Sequence, residues 1–110
     1  MGRKDIKEIE KIEKLTELIV QSVKPQKIYL FGSFARGEQK MDSDYDFYLV
    51  VDDDVENMHS VAARAHYAIH KDQNRAVDIV VERSSKFNQM KNIGCALENL
   101  VANEGVLLYE

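Results

Sequence analysis

Two short runs carry the residues best suited to chemistry: Gly32-Ser33 and, twelve positions on, Asp44-Tyr45-Asp46. Side chains alternate faces along a strand, so Asp44 and Asp46 point the same way, about 6–7 Å apart, if the run is extended. Two carboxylates so placed repel each other. A divalent cation relieves the repulsion, because carboxylate oxygens are the ligands magnesium and manganese favour. The competing reading is plainer: Asp44 caps a loop and Asp46 faces water at the start of a strand. Between residues 38 and 56 there are eight acids (Glu38, Asp42, Asp44, Asp46, Asp52, Asp53, Asp54 and Glu56) against one base, Lys40, and such runs are commonly solvated. Gly32-Ser33 follows an apolar run and opens a helical turn. The unpaired backbone N–H groups of such a turn attract anions, and a serine hydroxyl adds one donor. Alone, the pair is equally ordinary turn chemistry. It is not a Walker loop, since no second glycine is followed by Lys and Ser or Thr.

Asp78 tips the balance. It stands in the run VDIVV, between Val77 and Ile79. An aspartate inside a strand of β-branched residues is costly unless paired or metal-bound. If that strand neighbours residues 44–51, Asp44, Asp46 and Asp78 form a triad. Three carboxylates beside a phosphate-binding turn describe phosphoryl or nucleotidyl transfer with two metal ions about 3.5–4 Å apart.

The elements that must position these groups follow from periodicity. Ile6, Ile9, Ile12, Leu15, Leu18, Ile19 and Val23 recur at helical spacing, predicting a helix over 3–23 that Pro25 ends. KIYLF (27–31) is a strand stopped by Gly32, SFARGE (33–38) a single turn, and 38–43 a loop. DYDFYLVV (44–51) is a second strand. A helix over 55–73 follows, with Asp54 as its N-cap and Met58, Val61, Ala62, Ala65 and Ile69 on its apolar stripe. RAVDIVVE (75–82) is a third strand. Ser84 or Ser85 caps a third helical stretch, interrupted near Gly94, and after Gly105 VLLY (106–109) closes the sheet. The expected fold is a two-layer α/β (α+β) domain, a small mixed sheet with helices packed on one face.

Composition narrows the function classes. A chain of 110 residues is expected to form one domain, 1–110. With 45% hydrophobic and 31% charged residues it is not a disordered chain. The net charge of −4 lacks the basic footprint of a protein that coats duplex nucleic acid. One cysteine, Cys95, allows no internal disulfide, and its helical apolar context predicts a packing role. No apolar run approaches the roughly 20 residues of a membrane span, and the amino-terminal MGRKDIKEIEKIEK has no signal-peptide core. A soluble, cytoplasmic domain is expected. His66 and His70 share a helix face at zinc-ligand spacing, but no suitable third ligand accompanies them, and together with His59 they read as solvated.

Taken together, FGSFARGEQKMDSDYDFYLVV (31–51) resembles the minimal nucleotidyltransferase branch of the DNA polymerase β-like nucleotidyltransferase superfamily, whose pattern is G-S-x-A-R-G followed by S-D-x-D. Gly32, Ser33, Ala35, Arg36, Gly37, Ser43, Asp44 and Asp46 fill every position, and the resemblance extends over essentially the whole chain. Phe47-Tyr48 is bulkier than the aliphatic pair usual there, a departure that bears on pocket shape. The resemblance implies roles. Gly32 and Ser33 would hold the β- and γ-phosphates of ATP as substrate. Asp44 and Asp46 would bind two Mg²⁺ ions, with Mn²⁺ as an alternative. Asp78 would bind the catalytic metal and help deprotonate an acceptor hydroxyl. Arg36 would either reach a phosphate or brace the turn, since a guanidinium serves both uses. Free-standing members of this branch resemble antitoxins that pair with a helical HEPN ribonuclease toxin and transfer AMP to its tyrosine. The alternatives are an aminoglycoside-type enzyme acting on a small molecule as a homo-oligomer, and a non-catalytic module that neutralises a toxin by contact.

Overall fold

A computed structural model describes residues 3–110, with side chains from residue 6 onward. Met1 and Gly2, the start of the segment read as lacking a signal peptide, lie outside the described residues. The chain runs α1 (Arg3–Val23), β1 (Lys27–Phe31), α2 (Ser33–Arg36), β2 (Tyr45–Val51), α3 (Met58–Ile69), β3 (Val77–Arg83), α4 (Ser84–Met90), α5 (Leu97–Glu104) and β4 (Val106–Tyr109). The sheet order is β3-β2-β1-β4. β1 lies antiparallel to β2 and β4, while β2 and β3 are parallel. A parallel pair needs a crossover, and α3 supplies it. The sheet is therefore mixed, as expected.

Its two faces follow the period of two along β2. Tyr45, Phe47 and Leu49 face a core shared with Ile12, Leu15 and Ile19 of α1 and Ala65 and Ile69 of α3. Tyr48 and Val50 face the other way, against Phe87 of α4 and Val101 of α5. The expectation of helices on one face holds for the long helices only. The break near Gly94 frees two short helices to wrap the sheet and cover the opposite face, so β2 is buried on both sides, its first five hydrophobic positions in Tyr45, Phe47, Tyr48, Leu49 and Val50 all in the core.

Local chemistry explains the boundaries. Lys24 adopts a left-handed φ of 49° after α1, and its N–H returns to the carbonyl of Val20 at 3.0 Å. The N-cap of α3 is Asn57, whose side chain accepts from the Ser60 N–H at 3.1 Å, so Asp54 is not the cap. Residues 55–57 are held outside the helix by Arg83, whose guanidinium donates to the carbonyls of Val55 at 2.9 Å and Glu56 at 3.2 Å. Neither Ser84 nor Ser85 caps α4: Arg83 occupies the N-cap position, and Asp53 accepts from the Ser85 N–H at 2.8 Å across the fold. Cys95 is exposed in the turn between α4 and α5, not packed in a helix. His59, His66 and His70 are all exposed on or at the end of α3. Among the described residues no helix is long and apolar enough to cross a membrane.

Candidate active site

The sheet register builds the site. In the parallel pairing of β2 and β3, Asp46 stands opposite Asp78. Residues in register on adjacent strands share a face, so the two carboxylates lie side by side, on the face of Tyr48, Val50 and Val80. Asp44 precedes β2 by one residue and is close enough to act on Asp46 electrostatically. On the other flank of β2, Phe31 pairs with Asp46, and the chain turns sharply at Gly32. Gly32 has φ +75°, in the left-handed region, and a Cβ there would collide with Oδ2 of Asp46 and lie 3.1 Å from its Cγ. Glycine is thus required twice at this position, by the turn and by the carboxylate. Ser33 begins α2, a single turn closed by Gly37 at φ 72°.

The resulting electrostatics are strained. Burial of its carboxyl, then the charge and hydrogen bond of Asp78, then the charge of Asp44 push the pKa of Asp46 from 3.8 to about 6, while Arg36 pulls the other way. Arg36 itself is partly exposed and pairs through Nε with Glu38 at 3.2 Å. Asp78 does not carry the burial penalty expected of it. β3 is an edge strand, and Asp78 is exposed. What brings it to the site is the register. Among the described residues, no three His, Cys, Asp or Glu side chains converge as a ready-formed metal cluster. The donor set nevertheless suits a hard divalent cation: it offers carboxylate oxygens only, and it is short of positive charge where Asp46 resists ionisation. Asp44 and Asp46 are partly buried there, and Asp78 is exposed. A groove of about 400 Å³ lies elsewhere, between α1 and β4, floored by Leu30, Val106 and Leu108.

A second polar group stands behind the carboxylates, and sequence reasoning missed it. Arg75, just before β3, donates from Nη1 to the carbonyls of Met41 at 3.0 Å and Ser43 at 2.9 Å, and from Nη2 to Oε1 of Glu8 at 2.6 Å. The hydroxyl of Tyr45 donates to the other Glu8 oxygen. Burial, then the Glu8 hydrogen bond, push that phenol up to about 12. Glu8 is separated from Arg75 by 67 positions. The only local signal was an arginine opening an otherwise apolar strand. Ser43, filled by the motif, ties the loop: its Oγ accepts from the Lys40 N–H at 2.7 Å.

An antiparallel pair joined to a parallel crossover, with two carboxylates in register beside a glycine turn, has the architecture of a nucleotidyltransferase domain. The pattern of the family described as Polymerase beta, Nucleotidyltransferase matches residues 13–110, and the chain belongs to that family. Its class of activity is nucleotidyl transfer. No curated protein matches the chain. Among solved structures, a chain of a toxin–antitoxin crystallised with AMP-PNP is 26% identical, with a TM-score of 0.57, over 88% of this chain and 72% of that one. A chain of the MntA–HpeT toxin–antitoxin, in a form with two Asp-to-Glu changes two positions apart, is 25% identical, with a TM-score of 0.56, over 87% of this chain and 70% of that one. A proposed nucleotidyltransferase from Sulfolobus solfataricus, 22% identical over 97% of this chain and 87% of its own, shares the fold with a TM-score of 0.58.

Proposed function

We propose that the protein transfers AMP from ATP to a hydroxyl, and that the acceptor is a tyrosine of a helical HEPN-type toxin for which this chain is the antitoxin. The observation that carries the reading is the register of Asp46 against Asp78, with Gly32 pressed onto the same carboxylate. Gly32 and Ser33 take the β- and γ-phosphates, the glycine because only a residue without Cβ leaves that approach open. Arg36 stands near enough to Asp46 to add positive charge at the phosphate side. Asp44, Asp46 and Asp78 would hold Mg²⁺, which when bound supplies charge neutralisation for the triphosphate and acidifies the acceptor hydroxyl. In the transfer, the acceptor oxygen bonds to the α-phosphorus and the bond to the bridging oxygen breaks. Pyrophosphate leaves with that bonding pair, and the hydroxyl proton passes to Asp78, the most exposed of the three carboxylates.

We assign the acceptor to a protein because none of the three carboxylates lines the groove between α1 and β4, and Asp78 is exposed where a docked surface can reach it. A docked partner aligns its own hydroxyl by positioning, a large part of what this reaction needs. The similar toxin–antitoxin chains support that reading. A cytoplasmic location goes with this reading, because ATP and Mg²⁺ would be at hand there.

Intact-mass spectrometry of the protein with its genomic neighbour, incubated with ATP and Mg²⁺, tests it. The expected result is an AMP-sized increase on the neighbour that Asp44→Asn and Asp46→Asn abolish. Efficient transfer to a small molecule with no increase on the neighbour would favour the aminoglycoside-type activity. Transfer to neither would leave a module that binds by contact.

A further inference from the structure

We infer that Arg75 is a positioning residue: it clamps the loop that presents Asp44 and locks the Gly32-Ser33 turn to the carboxylate strands. This role rests on the nucleotidyl-transfer reading above. The guanidinium meets every segment that brings a site residue into place. Its Nη1 holds the carbonyls of Met41 and Ser43, so the backbone is fixed up to the residue before Asp44. Its plane lies over the rings of Phe34, 5.0 Å from the centroid, and Tyr45, 5.4 Å away. Phe34 follows Ser33, and Tyr45 separates Asp44 from Asp46. Arg75 itself stands three residues before Asp78. Glu8 closes the group from α1, taking Nη2 of Arg75 on one oxygen and the Tyr45 hydroxyl on the other.

The arrangement is not a surface ion pair. The side chains of Arg75 and Glu8 are only 18% and 23% exposed, and Nε of Arg75 is buried with no partner among the described residues. Leaving a donor unsatisfied costs stability. A guanidinium is retained there for what the rest of its fork does: five N–H groups in one plane can hold two carbonyls and a carboxylate together, which an ammonium cannot. Without the clamp, residues 38–43 have few other tethers, and Asp44 loses its fixed distance to Asp46 and Asp78. Groups that orient ligands in this way typically change metal affinity by about 10–100-fold when removed.

The test uses the full chain and Mn²⁺ alone as the probe. Mn²⁺ affinity is measured by calorimetry well below each variant's melting midpoint, with hydrogen exchange of residues 40–45 alongside. Arg75→Met is expected to weaken Mn²⁺ binding about tenfold and to speed exchange at Ser43 and Tyr45, with the amides of β1 unchanged. Arg75→Lys is expected to recover only part of both. In an Asp44→Asn background, Arg75→Met is expected to cost less than about twofold, because the residue acts through Asp44. If Arg75→Met does not fold, Glu8→Gln, which loosens one arm only, is expected to show an intermediate loss. Parental Mn²⁺ affinity, parental loop exchange, or an equal cost in both backgrounds overturns the clamp. No Mn²⁺ binding by the parent protein refutes the metal-dependent activity itself, and the positioning role falls with it.

Discussion

Replacing Asp46 by Asn should make the metal-free protein more stable at neutral and alkaline pH. In the folded protein the Asp46 carboxyl titrates at about 6, against 3.8 when free of its surroundings. Folding therefore opposes its ionisation. The penalty is fully present above about pH 6 and disappears as the pH falls below about 4, where the group is protonated in both states. A rise of this size corresponds to about 3 kcal/mol at full strength. The side chain is half-buried, and solvent screening brings the expected figure to about 1–2 kcal/mol. A chain of this length gains about 4 °C in melting temperature per kcal/mol. Melts in EDTA should then place Asp46→Asn about 4–8 °C above the parent at pH 8 and within about 1 °C of it at pH 4. The asparagine keeps the size of the side chain and an acceptor oxygen, so packing against Gly32 is preserved. A variant that melts at or below the parent at pH 8, or that gains equally at both pH values, would refute the claim that like charge and burial strain this residue.

Mg²⁺ should reverse that order, raising the parent's midpoint by mass action while leaving Asp46→Asn nearly unmoved; equal shifts in both would remove Asp46 from the metal's ligands. Gly32→Ala should destabilise by about 2 kcal/mol or more, from the left-handed backbone and the collision with Asp46. Adding Asp46→Ala should recover the collision but not the backbone part, which denaturant titration of the two variants can separate. Gly105→Ala should cost about 1–3 kcal/mol, because its Cβ would press on the carbonyl of Val101 and lie 3.2 Å from the Leu30 carbonyl oxygen; a melt indistinguishable from the parent would show that α5 and β1 yield there.

The elements of this fold were legible because their patterns are local. The isoleucine stripe of α1, the aromatic and β-branched runs of β1 and β2 and the spacing from Gly32 to Asp46 needed no tertiary knowledge. Capping was harder to read. Asp54 looked like the natural N-cap of α3, but Arg83 holds the carbonyls of Val55 and Glu56 outside the helix, and the role passes to Asn57. Asp53, which read as one of a solvated run, caps α4 from a distance of 32 positions. Asp78 reads from the sequence as a costly buried aspartate, and the structure differs. β3 is an edge strand, and the in-register pairing with Asp46 is what brings its carboxylate to that of Asp46. Arg75 left only the faint signal of an arginine opening an apolar strand and Glu8 none, since their pairing has no meaning until α1 and β3 are brought together.

The register of β2 and β3 has a consequence for how the protein is made and how it varies. Asp46 and Asp78 meet only when a non-local, parallel pairing zips correctly, a slow kind of step in folding. A slip of one residue would send Asp78 to the opposite face. Nothing in the carboxylates guards against that slip, because they repel. The guard is the alternation of Val77, Ile79 and Val81, which must reach the α1–α3 core. The pairing of the two carboxylates is thus inherited from hydrophobic burial. Sequence drift at Ile79 or Val81, which carry no chemistry themselves, would surface first as a fraction of molecules with the right fold class and a mispaired candidate site, a defect that lowers the proportion of correctly paired molecules without altering the properties of the rest.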